Sequence, residues 1–136
     1  MKLYLLDSTP VAAYLHGRKS VTDLVTPWII RREVATSILV YAEVTEYIKG
    51  LSDFSHRHKD LKHLLSEIYP YFLTYSILER YADVRRLLRS PYGAGLIGDI
   101  DTLIAATALE RNLTVVTADK DFERVPGLQV KLISVK

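Results

Sequence analysis

Residues 113–117, LTVVT, form a continuous apolar, β-branched run with no polar alternation. A strand with one wet face would alternate, so an unbroken run belongs to a strand covered on both faces, as in a parallel sheet between helix layers. Residues 100–109, just before it, are apolar on almost every side, which predicts a largely buried helix. The rest of the chain repeats this alternation. Residues 2–6 read as a buried strand, and Thr9-Pro10 as an N-cap with proline at the first helical position, opening a short helix to His16. A second helix is expected over 21–31, disturbed by Pro27, then a β-branched strand over 36–40 and a helix carrying Glu43. Leu61, Leu64, Leu65 and Ile68 fall at helical spacing, as do Ile77, Tyr81, Val84 and Leu88, with a candidate strand at 71–74 between them. A last strand is expected over 129–133, after the Pro126-Gly127 turn. Strands alternating with helices predict an α/β fold with a parallel sheet and right-handed crossovers. With 136 residues, 49% hydrophobic and 25% charged, one domain over 1–136 with a single core is expected, with no repeat and no linker.

Onto this frame the sequence places four separated acids. Asp7 follows LYLL, Glu43 follows SILVYA, Asp101 precedes TLIAATAL and Asp119 follows LTVVTA. Strand ends of an open α/β sheet converge on one edge, so carboxylates at these boundaries can form one cluster. Like charges that close are unfavourable unless a cation joins them, and hard divalent cations take oxygen ligands. The pattern predicts a Mg²⁺ or Mn²⁺ site. Each acid also has an ordinary explanation: Asp7 as a turn residue, Asp99 or Asp101 as a helix cap, Glu43 as a surface glutamate beside Glu46, Asp121 as the start of a turn. Four such accidents at one edge are a poor account of the set.

YLLDSTPVAAYL, SILVYAEV, GDIDTLIAATAL and VVTADKDFERV resemble, in order and spacing, the four motifs of PIN-domain nucleases, most closely the VapC-type toxins of type II toxin–antitoxin systems. The resemblance runs from Tyr4 to Val125. It implies a three-layer α/β/α sandwich around a parallel sheet, a homodimer, a cognate antitoxin that inserts a segment into the active site, and hydrolysis of RNA. The family's acidic quartet falls on Asp7, Glu43, Asp101 and Asp119, with Asp121 a further ligand or water-holder. Ser8 and Thr117 take its small hydroxyl positions, and Ser37 its structural serine.

The implied chemistry is phosphodiester hydrolysis by a metal-activated water. Mg²⁺ retains several waters and takes few carboxylates directly. Asp7 and Asp101 are therefore assigned as direct ligands, Asp119 as a direct or water-mediated one, and Glu43 as a water-orienting base or outer partner. The competing function class is a PIN-like RNA- or protein-binding module without turnover. A remoter reading takes Gly93, Gly95 and Gly98 in GAGLIG as a dinucleotide-binding fingerprint, with Asp119 as its distal acid. The helical spacing before Gly93 argues instead for a flexible loop beside the site.

The remaining features are less specific. Cysteine is absent, which removes disulfides and thiolate chemistry, and residues 3–6 are too short for a signal core or a membrane span, so a cytoplasmic protein is expected. Net charge is +2, so RNA would be held by local basic patches, for which Arg80, Arg85, Arg86 and Arg89, with Arg57, Lys59 and Lys62, are candidates. His16, His56, His58 and His63 lack ligand spacing and read as solvated. The nine tyrosines suit base stacking or a protein interface equally.

Overall fold

Five short parallel strands set the frame. A computed structural model describes residues 1–135. In it β1 (Tyr4–Leu6), β2 (Val34–Ser37), β3 (Tyr69–Tyr71), β4 (Thr114–Thr117) and β5 (Val130–Leu132) form one sheet in the order β3-β2-β1-β4-β5. Every neighbouring pair is parallel, and Leu6 stands in register with Thr36 on one side and Val116 on the other. The segments leaving these strands therefore emerge together at one edge.

The connections are α1 (Ser8–Leu15), α2 (Lys19–Ile30), α3 (Ile38–Lys49), α4 (Phe54–Glu67), α5 (Tyr75–Leu88) and α6 (Asp99–Arg111), with a 3₁₀ turn at Lys120–Arg124. The chain steps outward from β1 through β2 to β3, then returns across the sheet to β4. Right-handed crossovers then put α1 to α4 on one face and the closely packed pair α5 and α6 on the other. The result is the expected α/β/α sandwich. Its winding reverses between β1 and β4, and such a reversal leaves a crevice at the carboxyl ends of the strands.

The core follows from composition. Leu5, Leu6, Val115 and Val116 are fully buried between the layers, as the unbroken apolar run requires. α6 is buried along Ile104, Ala105, Ala106 and Ala108, and Phe122 seals the 3₁₀ turn.

Several boundaries differ from expectation, each for a local reason. β2 ends at Ser37 rather than Val40, because Ser37 Oγ accepts the Leu39 N–H at 3.1 Å and caps α3, so Ile38, Leu39 and Val40 are helical. The strand expected at 71–74 lies at Tyr69–Tyr71, and Thr74 instead caps α5 by accepting the Ile77 N–H at 3.3 Å. α1 begins directly after β1, with Asp7 rather than Thr9 at the N-cap position. α2 runs through Pro27 to Ile30. At α6 the N-cap is Gly98, so Asp99 and Asp101 both lie in the first turn.

Candidate metal centre

Asp7 leaves the end of β1 buried, only 4% exposed, and although it holds the N-cap position of α1 it makes no side-chain capping bond. Its carboxylate is held across the sheet instead. Oδ2 accepts the Thr117 hydroxyl at 2.8 Å, and the Thr117 oxygen accepts the Asp119 N–H at 3.0 Å. Oδ1 of Asp7 is buried with no hydrogen-bond partner. Glu43, in the second turn of α3, accepts a short hydrogen bond from the Ser8 hydroxyl through Oε1. Asp101 enters from the first turn of α6. One oxygen from each of Asp7, Glu43 and Asp101 lies within 4.8 Å of the other two. Three segments far apart in sequence thus deliver one carboxylate each to the crevice.

Asp119 stands beside this group and outside its shortest contacts. Its Oδ1 accepts the Asp121 N–H at 2.9 Å and caps the 3₁₀ turn, while Asp121 pairs with Arg124 at 3.3 Å. Glu43, expected as a water-orienting base or outer partner, is grouped by the geometry with Asp7 and Asp101, and Asp119, expected as a direct or water-mediated ligand, lies outside that set. Asp99 points elsewhere: exposed, it accepts the Tyr81 hydroxyl at 3.0 Å and the Arg85 guanidinium at 2.6 Å.

The electrostatics follow from this arrangement. Burial pushes the Asp7 carboxyl above its ordinary value, the Ser8 amide and Thr117 hydroxyl oppose the shift, and the Glu43 and Asp119 charges reinforce it. Asp101 is pushed up to about 6, first by burial and then by the charges of Asp7, Asp119, Glu43 and Asp121. No lysine or arginine among the described residues pairs with Asp7, Glu43, Asp101 or Asp119. Two unit charges about 4 Å apart repel by about 4 kcal/mol in a medium of near-surface polarity. Three carboxylates so placed cannot all ionise cheaply without a cation. An all-oxygen donor set with a free buried oxygen fits a hard divalent ion.

The competing motifs resolve differently. GAGLIG follows α5 rather than a strand, which removes the dinucleotide fingerprint's context. Its first glycine is fixed by packing, since a Cβ on Gly93 would lie 1.9 Å from the Leu87 carbonyl oxygen. Arg80 and Arg85 are engaged by Glu110 and Asp99. His56 and His63 face Asp60 and Glu67 one turn along α4, and His58 stacks on Phe54 while bonding the Tyr41 hydroxyl.

Sequence reasoning missed a groove of about 350 Å³ between α1 and α3. Ser8 and Glu43 line one end, and His16, Arg18 and Tyr47 line the other. The available signal was Tyr47 at i+4 from Glu43, on the same face of α3.

Comparison with known proteins agrees with the fold. The model of the PIN domain family matches residues 4–128. The DNA-bound VapBC2 complex of Rickettsia felis contains a chain of similar structure, with a TM-score of 0.86 and 22% identity over 97% of this chain and 99% of that one. DNA-bound VapBC from Salmonella typhimurium gives 0.83 at 18% identity, covering 96% and 98% of the two chains. FitAcB from Neisseria gonorrhoeae gives 0.81 at 22%, covering 94% and 96%. Comparison with curated protein sequences returned no match. No helix among the described residues is long and apolar enough to cross a membrane. With the family model matching residues 4–128 of the chain's 136, the chain belongs to the PIN domain family.

Proposed function

We propose that this chain is a metal-dependent endoribonuclease and the toxin of a toxin–antitoxin pair. The observation that carries the reading is the set Asp7, Glu43 and Asp101, closed to within 4.8 Å with a buried partnerless oxygen and no cationic side chain. Family membership supports nuclease chemistry, and the likeness to chains of VapBC and toxin–antitoxin complexes supports an antitoxin partner. In this reading residues 1–136 are one domain acting as a cytoplasmic homodimer, with RNA as substrate.

Asp7, Glu43 and Asp101 would hold Mg²⁺ or Mn²⁺, with Asp119 acting through a bound water. When bound, such an ion supplies a water of lowered pKa and neutralises charge on the phosphoryl oxygens. The chain's own contribution is placement. Thr117 fixes one oxygen of Asp7 and leaves the other free for a ligand, while Ser8 fixes one oxygen of Glu43. Asp121 holds Asp119 through its backbone N–H.

The direct test is cleavage of a panel of structured RNAs by the purified chain, freed of any partner. Cleavage should need Mg²⁺ or Mn²⁺, fall to background in excess chelator, and recover poorly with Ca²⁺, which prefers a larger and looser shell. RNA binding without cleavage under every metal condition would favour the binding-module reading instead.

A further inference from the structure

We infer that the pocket at the amino ends of β1, β2 and β3 binds a phosphomonoester carried on an organic body, for which a nucleoside monophosphate is a simple probe. It lies at the edge of the sheet opposite the acid cluster, and the inference does not depend on the nuclease reading. Lys2 and Arg32 line the pocket, each just ahead of a strand. The Leu3 N–H donates to the Glu33 carbonyl at 2.7 Å and holds the two strand starts together. Ile29, Leu65 and Pro70 supply an apolar wall, and Tyr69, 53% exposed, an aromatic one. The volume of about 560 Å³ falls within the range of about 300–1,000 Å³ that small organic ligands occupy.

The backbone singles out Arg32. α2 ends in a left-handed turn in which Arg32, at φ 58°, donates its N–H to the Ile29 carbonyl at 3.0 Å and Glu33 donates to Trp28 at 2.9 Å. This position favours glycine and then asparagine, because a Cβ strains it. α1 and α6 end in the same kind of turn, and there the chain has Gly17 and Asn112. An arginine kept where the backbone disfavours it points to a use for its side chain. Yet neither Arg32 nor Lys2 has an acidic partner among the described residues, whereas the neighbouring Arg31 is spent on Glu33 at 2.9 Å. Glu67, the acid in the pocket wall, faces His63 at 3.6 Å.

Two unpaired cations at one pocket match a dianion. A phosphomonoester carries about −1.5 to −2 charge at pH 7, and an arginine fork beside a lysine point charge suits its oxygens. A carboxylate would leave one cation unmatched. Inorganic phosphate would leave the apolar wall and Tyr69 unused, so an organic body on the phosphate adds contact that the bare ion lacks.

The test is calorimetric titration in excess chelator, which removes any metal-borne route for phosphate at the acid cluster. Wild type should bind adenosine 5′-monophosphate, bind inorganic phosphate about tenfold more weakly, and leave adenosine unbound. A 5′-phosphorylated oligoribonucleotide should compete for the same pocket, and whether it or the free nucleotide binds more tightly identifies the source of the phosphate. Lys2→Gln and Arg32→Gly each remove one charge-assisted contact and should each weaken monophosphate binding about tenfold or more. Arg32→Gly should at the same time hold or raise the melting temperature, because glycine relieves the left-handed position, so its loss of binding cannot come from unfolding. Lys131→Gln makes the same charge change on β5, away from the pocket, and should bind as wild type does. No saturable binding of the monophosphate by wild type in the millimolar range overturns the inference. So does binding that survives both pocket variants, or that falls equally in Lys131→Gln. RNA cleavage with and without Mg²⁺, measured on the same preparation, decides the nuclease reading separately.

Discussion

Acidic side chains at the carboxyl edge of the sheet and on the α5–α6 surface meet opposite conditions. On that surface two acids are paired with a cation: Asp99 meets Arg85 at 2.6 Å and Glu110 meets Arg80 at 3.3 Å. At the edge Asp7 and Glu43 each accept from a hydroxyl, Asp101 lies beside them, and none of the three meets a basic side chain. The magnitudes explain why this matters. An exposed ion pair is worth about 0.2–1 kcal/mol and is screened by salt. Unrelieved repulsion between carboxylates about 4 Å apart reaches about 4 kcal/mol per pair. A fold under selection for stability alone would place an arginine in the crevice, so the retained charge points to a ligand that arrives from solution. The first turn of α6 holds both cases side by side, with Asp101 facing the cluster and Asp99 the surface.

The largest effect should come from breaking the edge. Asp101→Asn keeps the shape and removes one charge, so divalent-ion binding and RNA cleavage should each fall about a hundredfold or more, exceeding the 10–100-fold typical of groups that merely support a ligand. Calorimetric titration with Mn²⁺ and a single-turnover cleavage assay measure the two. Retention of both would show that the three-carboxylate set is not the metal centre.

A smaller effect concerns stability in chelator, where the edge must carry its own repulsion. Asp7 and Asp101 are both raised above the ordinary carboxylate value of 3.8, Asp101 to about 6, so the folded chain holds these protons more tightly than the unfolded chain. The Asp101 contribution is therefore full below about pH 4 and is lost as pH rises through about 6, and that of Asp7 is lost in the same direction. Other carboxylates titrate in the same range, so the informative quantity is a difference. The melting temperature of Asp101→Asn minus that of wild type should be near zero at pH 3.5 and positive by several degrees at pH 7. Saturating Mg²⁺ should reverse the sign at pH 7, because only wild type gains the ion. A difference that does not change with pH would mean that Asp101 is not carrying the repulsion.

The contrast between edge and surface was partly legible in the sequence. The run 113–117 announced a strand covered on both faces, and the boundary acids announced a shared edge, because both are local patterns with one geometric outcome in a parallel sheet. Ser37 shows where local pattern fails: the β-branched run continues through Ile38 and Val40, and only the hydroxyl that caps α3 shows that the strand has ended. The division of labour among the acids was less visible. That Thr117 holds Asp7, 110 positions away, or that Ser8 holds Glu43, 35 away, depends on which strands neighbour each other, not on any spacing within a segment. The α1–α3 groove was hidden for the same reason.

The smallest effect should come from Asp99→Asn, and it tests whether two aspartates of one motif are separated by direction alone. In the sequence both sit in GDIDTLIAA, and an N-cap role for Asp99 would have made its loss cost about 0.5–2 kcal/mol. The structure gives the N-cap position to Gly98 and turns Asp99 toward Tyr81 and Arg85. Asparagine at 99 keeps an oxygen that can accept from either donor, and the lost charge pair is exposed, so the cost should be at most about 1 kcal/mol. Cleavage should stay within about threefold of wild type, because Asp99 does not rank among the charges acting on Asp101. Raising salt should shrink the stability difference further, since it screens an exposed pair. Loss of cleavage as large as that of Asp101→Asn would mean that Arg85 and Asp99 set the entry angle of α6 into the crevice, and that the surface and the edge are one unit rather than two.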